Sequence, residues 1–232
     1  MKVVFMGTPY YVIPVLNSIQ AEVDVIGVYT APDRPKGKGG RMIVSPVKED
    51  AAEKNIRVYQ PTTLRSEPAY AAFRKLSPDL VVVAAYGQII PSSILGLPKY
   101  GFVNLHPSLL PKYRGASPVV SALLDGVMET GVTLLQLGEG VDDGPILAQA
   151  AVNIEQEEDA ENLTGRLFEI GTGLLTESGL LQGKQIPQIP QDEAGATFTK
   201  KVKKEDGKAR WGRSAVDLER QARAFTPWPS LF

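Results

Sequence analysis

Apolar positions along the chain fall into two rhythms. Short strand-like runs at Val3–Met6, Val23–Tyr29, Arg57–Tyr59 and Leu80–Ala84 alternate with helical patterns at Ile13–Ile19, Val47–Lys54 and Tyr70–Leu76. That alternation predicts βαβ units, and hence an α/β fold with a Rossmann-like, mostly parallel sheet covered by helices on both faces. The runs LVVVAAYG (Leu80–Gly87) and FVNL (Phe102–Leu105) are apolar on both faces, as central strands are. Thr130–Leu137 and Ile146–Ile154, separated by the loop GEGVDDGP, read as a later pair of strands. A helix is expected over Ala160–Leu181, locally weakened by Gly165, Gly171, Gly173 and Gly179.

After Gln182 the pattern dissolves into a polar, Pro- and Gly-punctuated arm with a basic cluster from Lys200 to Lys204, followed by a short helical segment, Ala215–Phe225, and the terminus TPWPSLF. This divides the chain into a catalytic domain over 1–184 and an arm or linker over 185–232. The length of 232 residues suits one large domain with an appendage. With 25 Lys+Arg against 26 Asp+Glu, the chain is not one that coats nucleic acid over its whole surface. The absence of cysteine excludes disulfides and thiolate metal sites, and one histidine leaves little for zinc. No metal is expected. MKVVFMGTP is too short for a signal peptide or a membrane span and reads as a first strand, which fits a cytoplasmic protein.

In open parallel sheets ligands sit beyond the carboxyl ends of the strands. Four such places stand out. In NLHPSLLP, Asn104 and the only histidine, His106, are two residues apart on a strand and share a face, and Pro107 ends the strand. A lone histidine among apolar residues is more often structural, so a packed core residue and a catalytic imidazole both remain open. In GVDDGP, two adjacent carboxylates lie in a glycine-flanked loop after a strand; such a loop is either a solvated acidic turn or part of a site. An amide, an imidazole and a carboxylate in one crevice suit acyl transfer: the first two donate to an oxyanion, and the acid orients the ring and relays a proton. No activated nucleophile accompanies them, so the substrate must bring it. The basic, glycine-rich stretch PDRPKGKGGR suits phosphate contact but is too irregular for a Walker motif, and a solvated loop is the plainer alternative. MGTPYYV lacks GxGxxG and gives little support to dinucleotide binding.

Together FMGTP, APDRPKGKGGRMIVSPVK, AAYGQIIP, NLHPSLLPKYRGASPV, GVTLLQLGEGVDDGPIL and AFTPWPSLF resemble the 10-formyltetrahydrofolate-dependent formyltransferases, from end to end of the chain. The resemblance implies the formyltransferase fold and 10-formyltetrahydrofolate as formyl donor. It implies Asn104, His106 and Asp142 as the catalytic trio, Asp142 being preferred because many relatives carry Thr or Gly at the place of Asp143. It also implies a pterin pocket built from Tyr86, Gly87, Gln88, Ile89 and Ile90, from Ser108, Leu109, Leu110 and Pro111, and from Leu137 and Val141. Gln88 stands where some relatives place an arginine. The basic loop resembles the branch that formylates initiator methionyl-tRNA, with Lys36, Lys38, Arg41 and Arg114 as tRNA contacts. A monomer working without a membrane is expected. In the family a C-terminal β-barrel domain follows the Pro-Trp-Pro segment, and this chain stops at Phe232. Rival readings are a formyltransferase with another amine acceptor, a hydrolase that releases formate, and a silent folate- or RNA-binding module.

Overall fold

The computed structural model describes residues 1–36 and 41–232. The elements run β1 (Lys2–Gly7), α1 (Ile13–Glu22), β2 (Asp24–Tyr29), β3 (Arg34–Lys36), β4 (Arg41–Ile43), α2 (Pro46–Glu53), β5 (Val58–Tyr59), α3 (Glu67–Leu76), β6 (Leu80–Ala84), α4 (Ser92–Leu95), β7 (Phe102–His106), β8 (Arg114–Gly115), α5 (Pro118–Asp125), β9 (Glu129–Gln136), β10 (Ile146–Asn153), α6 (Ala160–Glu177), β11 (Phe198–Thr199) and α7 (Ala215–Ala224). Ser45, Ser66, Asp159 and Ser214 cap α2, α3, α6 and α7 by accepting a backbone N–H in the first turn.

The main sheet has seven strands in the order β10-β9-β7-β6-β1-β2-β5. The five from β7 to β5 are parallel, and β9 and β10 add two antiparallel neighbours. Alternate residues of each strand feed two different cores. Val3, Phe5, Leu80, Val82, Val103 and Leu105 pack under α1, α2 and α6, whereas Val4, Met6, Val81, Val83 and Phe102 pack with Phe73 of α3 and Ile94 of α4. Burial on both faces is the reason β6 reads as an unbroken apolar run. The chain order reverses between β1 and β6, so the carboxyl ends of β1, β6 and β7 open on one crevice. There Thr8 donates its hydroxyl hydrogen to the Tyr86 carbonyl at 3.1 Å.

Two expectations need amendment. The helix expected to reach Leu181 stops at Glu177, because Gly179 takes φ +78 and starts a separate turn over Leu180–Gln182. Its internal glycines do not interrupt it: at Gly171 a Cβ would lie 2.8 Å from Leu105 and 2.9 Å from Val132, so glycine lets α6 approach the sheet closely. The basic stretch is flanked by strands rather than being loop throughout, with β3 and β4 paired antiparallel from Arg34↔Ile43 to Lys36↔Arg41.

Candidate active site

β7 carries Asn104 and His106 on the same face as Phe102, toward α3 and α4, opposite Leu135 and Thr133 of β9. His106 is 4% exposed. Its Nε2 lies 2.9 Å from the Tyr113 carbonyl oxygen; a carbonyl only accepts, so Nε2 carries a hydrogen. Its Nδ1 faces the Asp142 Oδ2 at 3.7 Å, within ion-pair range but longer than a hydrogen bond. The same Oδ2 accepts the Gly115 N–H at 2.8 Å. Strand end, 113–115 turn and acidic loop thus meet on one imidazole.

Strain is concentrated here. Among the described residues six non-glycines have positive φ, and three of them surround this crevice: Ala85 (φ 47) after β6, Tyr113 (φ 61) and Asp142 (φ 49). Such conformations cost about 1–2 kcal/mol each and persist where the surroundings over-determine them. The acidic loop is closed by Gly144, where a Cβ would come within 1.9 Å of the Gln136 carbonyl oxygen. Thr133, beside His106 on β9, braces the adjoining turn: its hydroxyl donates to Ser108 O at 2.7 Å and accepts from Leu110 N at 3.2 Å.

The 185–199 arm completes this side of the site. β11 pairs in parallel with β8, Phe198↔Arg114 and Thr199↔Gly115. Thr197 accepts the Tyr113 N–H at 2.8 Å, and Thr199 accepts the Ser117 N–H at 3.0 Å. Gln191 donates from Nε2 to the carbonyl oxygens of Asp142 and Gly144, both at 2.7 Å. None of Tyr113, Gly115, Gln191, Thr197 or Thr199 figures among the sequence candidates. Gly115 in YRGAS signals only a turn, and the contacts of the arm span 47 to 85 positions, which a local pattern does not reveal.

Arg114, expected as a tRNA contact, is placed among partners of the arm. It is 2% exposed, and its guanidinium donates to Gln191 Oε1 at 3.0 and 2.8 Å and to Glu193 at 3.0 and 2.7 Å. Four of the five N–H groups of the fork are taken by the arm, so Arg114 holds the arm to β8.

Residues 1–178 match the family described as Formyl transferase. The chain belongs to the formyl transferase family. It is 41% identical over its whole length to a methionyl-tRNA formyltransferase of Alkaliphilus oremlandii, covering 76% of that protein, and 44% identical over its whole length to one of Dehalococcoides mccartyi, covering 75%. In fold it is similar to an N-formyltransferase from Helicobacter canadensis solved with folinic acid and dTDP-3-aminofucose, with a TM-score of 0.76 and 18% identity over 97% of this chain and 80% of that one.

For a formyl transferase of this kind, the residues expected to hold the donor divide into three groups. Tyr86, Ile90 and Leu137 meet in the core cluster around Phe73, with Tyr86 3% exposed and its hydroxyl buried without a partner. Burial raises the ionisation of that phenol above its ordinary range. Gly87 turns the chain at φ +82, Gln88 is anchored by donating to Pro61 O at 2.9 Å, and Ile89 and Val141 are 73% and 57% exposed at the rim. The Ser-Leu-Leu-Pro turn faces inward instead. Ser108, expected to contact folate, has no exposed surface and donates its hydroxyl to Lys112 O at 2.8 Å. Leu110 packs against Leu135 and Ile146, Leu109 lies against Gly131, and Pro111 lies beside Gly195. Of the basic candidates, Lys36 and Arg41 lie on β3 and β4, and Lys38 lies outside the described residues. No helix among the described residues is long and apolar enough to cross a membrane.

Proposed function

We propose that the chain transfers the formyl group of 10-formyltetrahydrofolate to the α-amino group of methionine esterified to initiator tRNA. The observation that carries the chemistry is His106, held at the end of β7 between the Tyr113 carbonyl and the Asp142 carboxylate. The relatives named as methionyl-tRNA formyltransferases carry the choice of acceptor.

The amine brings its own lone pair, so the protein needs no nucleophile. Attack on the formyl carbon turns its carbonyl into an oxyanion, and the site must stabilise that charge. His106 spends Nε2–H on Tyr113, which fixes the ring and leaves Nδ1–H of the protonated imidazole for the oxyanion. Asn104, half-buried on the same face, supplies a second donor. Each is worth about 3 kcal/mol, the magnitude lost when an oxyanion-hole donor is removed. Asp142 sits beside Nδ1 without hydrogen-bonding it, placed to take the proton released by the attacking amine and deliver it toward N10, whose bond to the formyl carbon then breaks. Tyr86, Ile90 and Leu137 supply an apolar wall for the pterin, and the Tyr86 hydroxyl is a polar group in need of a partner. Lys36, Lys38 and Arg41 contact tRNA phosphates, and the protein acts as a cytoplasmic monomer without a metal.

The reading is tested by His106→Ala and Asp142→Asn in a transfer assay. Each lowers kcat by about 100-fold or more; activity within about threefold of the parent in both would contradict the assignment.

A further inference from the structure

Gln191 occupies a position that the chemistry of the trio does not use and that its surroundings constrain tightly. Its amide makes four hydrogen bonds to three residues, one a donor and two acceptors. Oε1 accepts Arg114 Nε at 3.0 Å and Nη2 at 2.8 Å, while Nε2 donates to Asp142 O and Gly144 O, both at 2.7 Å. A guanidinium only donates and a carbonyl only accepts, so the amide has one permitted orientation. Arg114 is itself locked by burial and by Glu193, whose carboxyl it holds below the usual range.

The far end of this brace is Asp142, whose backbone stands at φ 49, a left-handed conformation that is costly for an L residue and that local contacts offset. Two contacts do so. Gly115 N–H fixes the carboxylate, and Gln191 fixes the carbonyl. Removing the second frees the loop to relax and shifts Oδ2 from its place 3.7 Å from His106. Glutamate at 191 keeps the acceptor oxygen for Arg114 and strengthens that pairing by charge, yet it sets its other oxygen against two carbonyl oxygens. Docking of the arm and placement of Asp142 are thereby separable.

We propose that Gln191, oriented by Arg114, is a positioning residue for Asp142, so that the arm beyond the 1–178 family match is a working part of the catalytic centre. This rests on the functional reading above and adds to it that catalysis needs a residue of the arm.

The test compares the parent with Gln191→Glu and, should that variant not fold, Gln191→Met, by two measurements. The first needs no substrate: amide exchange at Gly115, whose N–H is held by Asp142 Oδ2. It accelerates about tenfold or more if Asp142 leaves its place. The second is kinetic: kcat falls about tenfold or more while KM for 10-formyltetrahydrofolate stays within about twofold, and in an Asp142→Asn background the same substitution costs less than about twofold further. A role confined to docking the arm predicts parental kcat in Gln191→Glu and losses that multiply with Asp142→Asn. Either result, or Gly115 protection equal to the parent's, would overturn the proposal. A chain that transfers no formyl group at all would fail the functional reading, and Gly115 exchange would still decide the role of Gln191.

Discussion

At the scale of single residues, the site shows how much of an imidazole's role is set by what surrounds it. His106 sits in a strand of apolar neighbours, the pattern of a packed core residue, and it is almost fully buried. The proposal that it is catalytic rests on its partners. A backbone carbonyl satisfies one nitrogen, and a carboxylate stands at ion-pair distance from the other without closing a hydrogen bond. Asn104 follows from the same strand periodicity, two residues back and on the same face. If it donates to the oxyanion, Asn104→Ala lowers kcat by about 100-fold while the fold is unchanged. A loss under about threefold, measured with melting temperature as a control, would remove it from the trio.

At the scale of elements, two kinds of structure meet at the crevice and were unequally legible in the sequence. β1, β6, β7 and β9 announce themselves by apolar runs because burial on two faces needs them, and β2 and the edge strand β10 by β-branched and alternating residues. β8 and β11 are two residues each, and their pairing joins positions 84 apart, so no window along the chain contains the signal. Arg114 shows the consequence. Next to SLLPKY it looks like a surface cation, and only its partners near 191–193 reveal a buried strut. Acidic pH tests that strut. Arg114 depresses the folded-state ionisation of Glu193, so the pairing stabilises the docked arm above the ordinary glutamate value of 4.5 and is lost as pH falls through the depressed value. Amide exchange at Arg114 and Thr197, corrected for intrinsic rate, is expected to accelerate on acidification through this range in the parent and to change less in Glu193→Gln. Equal acidification responses in both chains would show that the ion pair does not hold the arm.

At the scale of the molecule, the sheet supplies the crevice, the chain reversal beside β1 locates it, and the loops after β7 and β9 bring the chemistry to it. The fold class could be read from the sequence because strand rhythm is a local feature, and the NLHPSLLP and VDDGP segments, also local, pointed to the residues that meet at His106. The inward-facing Ser108 and the brace through Gln191 could not, because both depend on packing between distant segments. The expected tRNA contacts belong to this scale as well. Charge reversal at Lys36, Lys38 and Arg41 together is expected to lower kcat/KM for methionyl-tRNA by about 100-fold and to flatten its salt dependence, while donor binding is unchanged. Unaltered salt dependence would place the tRNA elsewhere. The central claim is tested most directly by incubating the chain with 10-formyltetrahydrofolate and methionyl-tRNA, and following formyl-methionyl-tRNA and tetrahydrofolate beside a reaction without tRNA and one with His106→Ala. Equal amounts of both products, dependent on tRNA and on His106, are the predicted result; tetrahydrofolate released without formylated tRNA would contradict it.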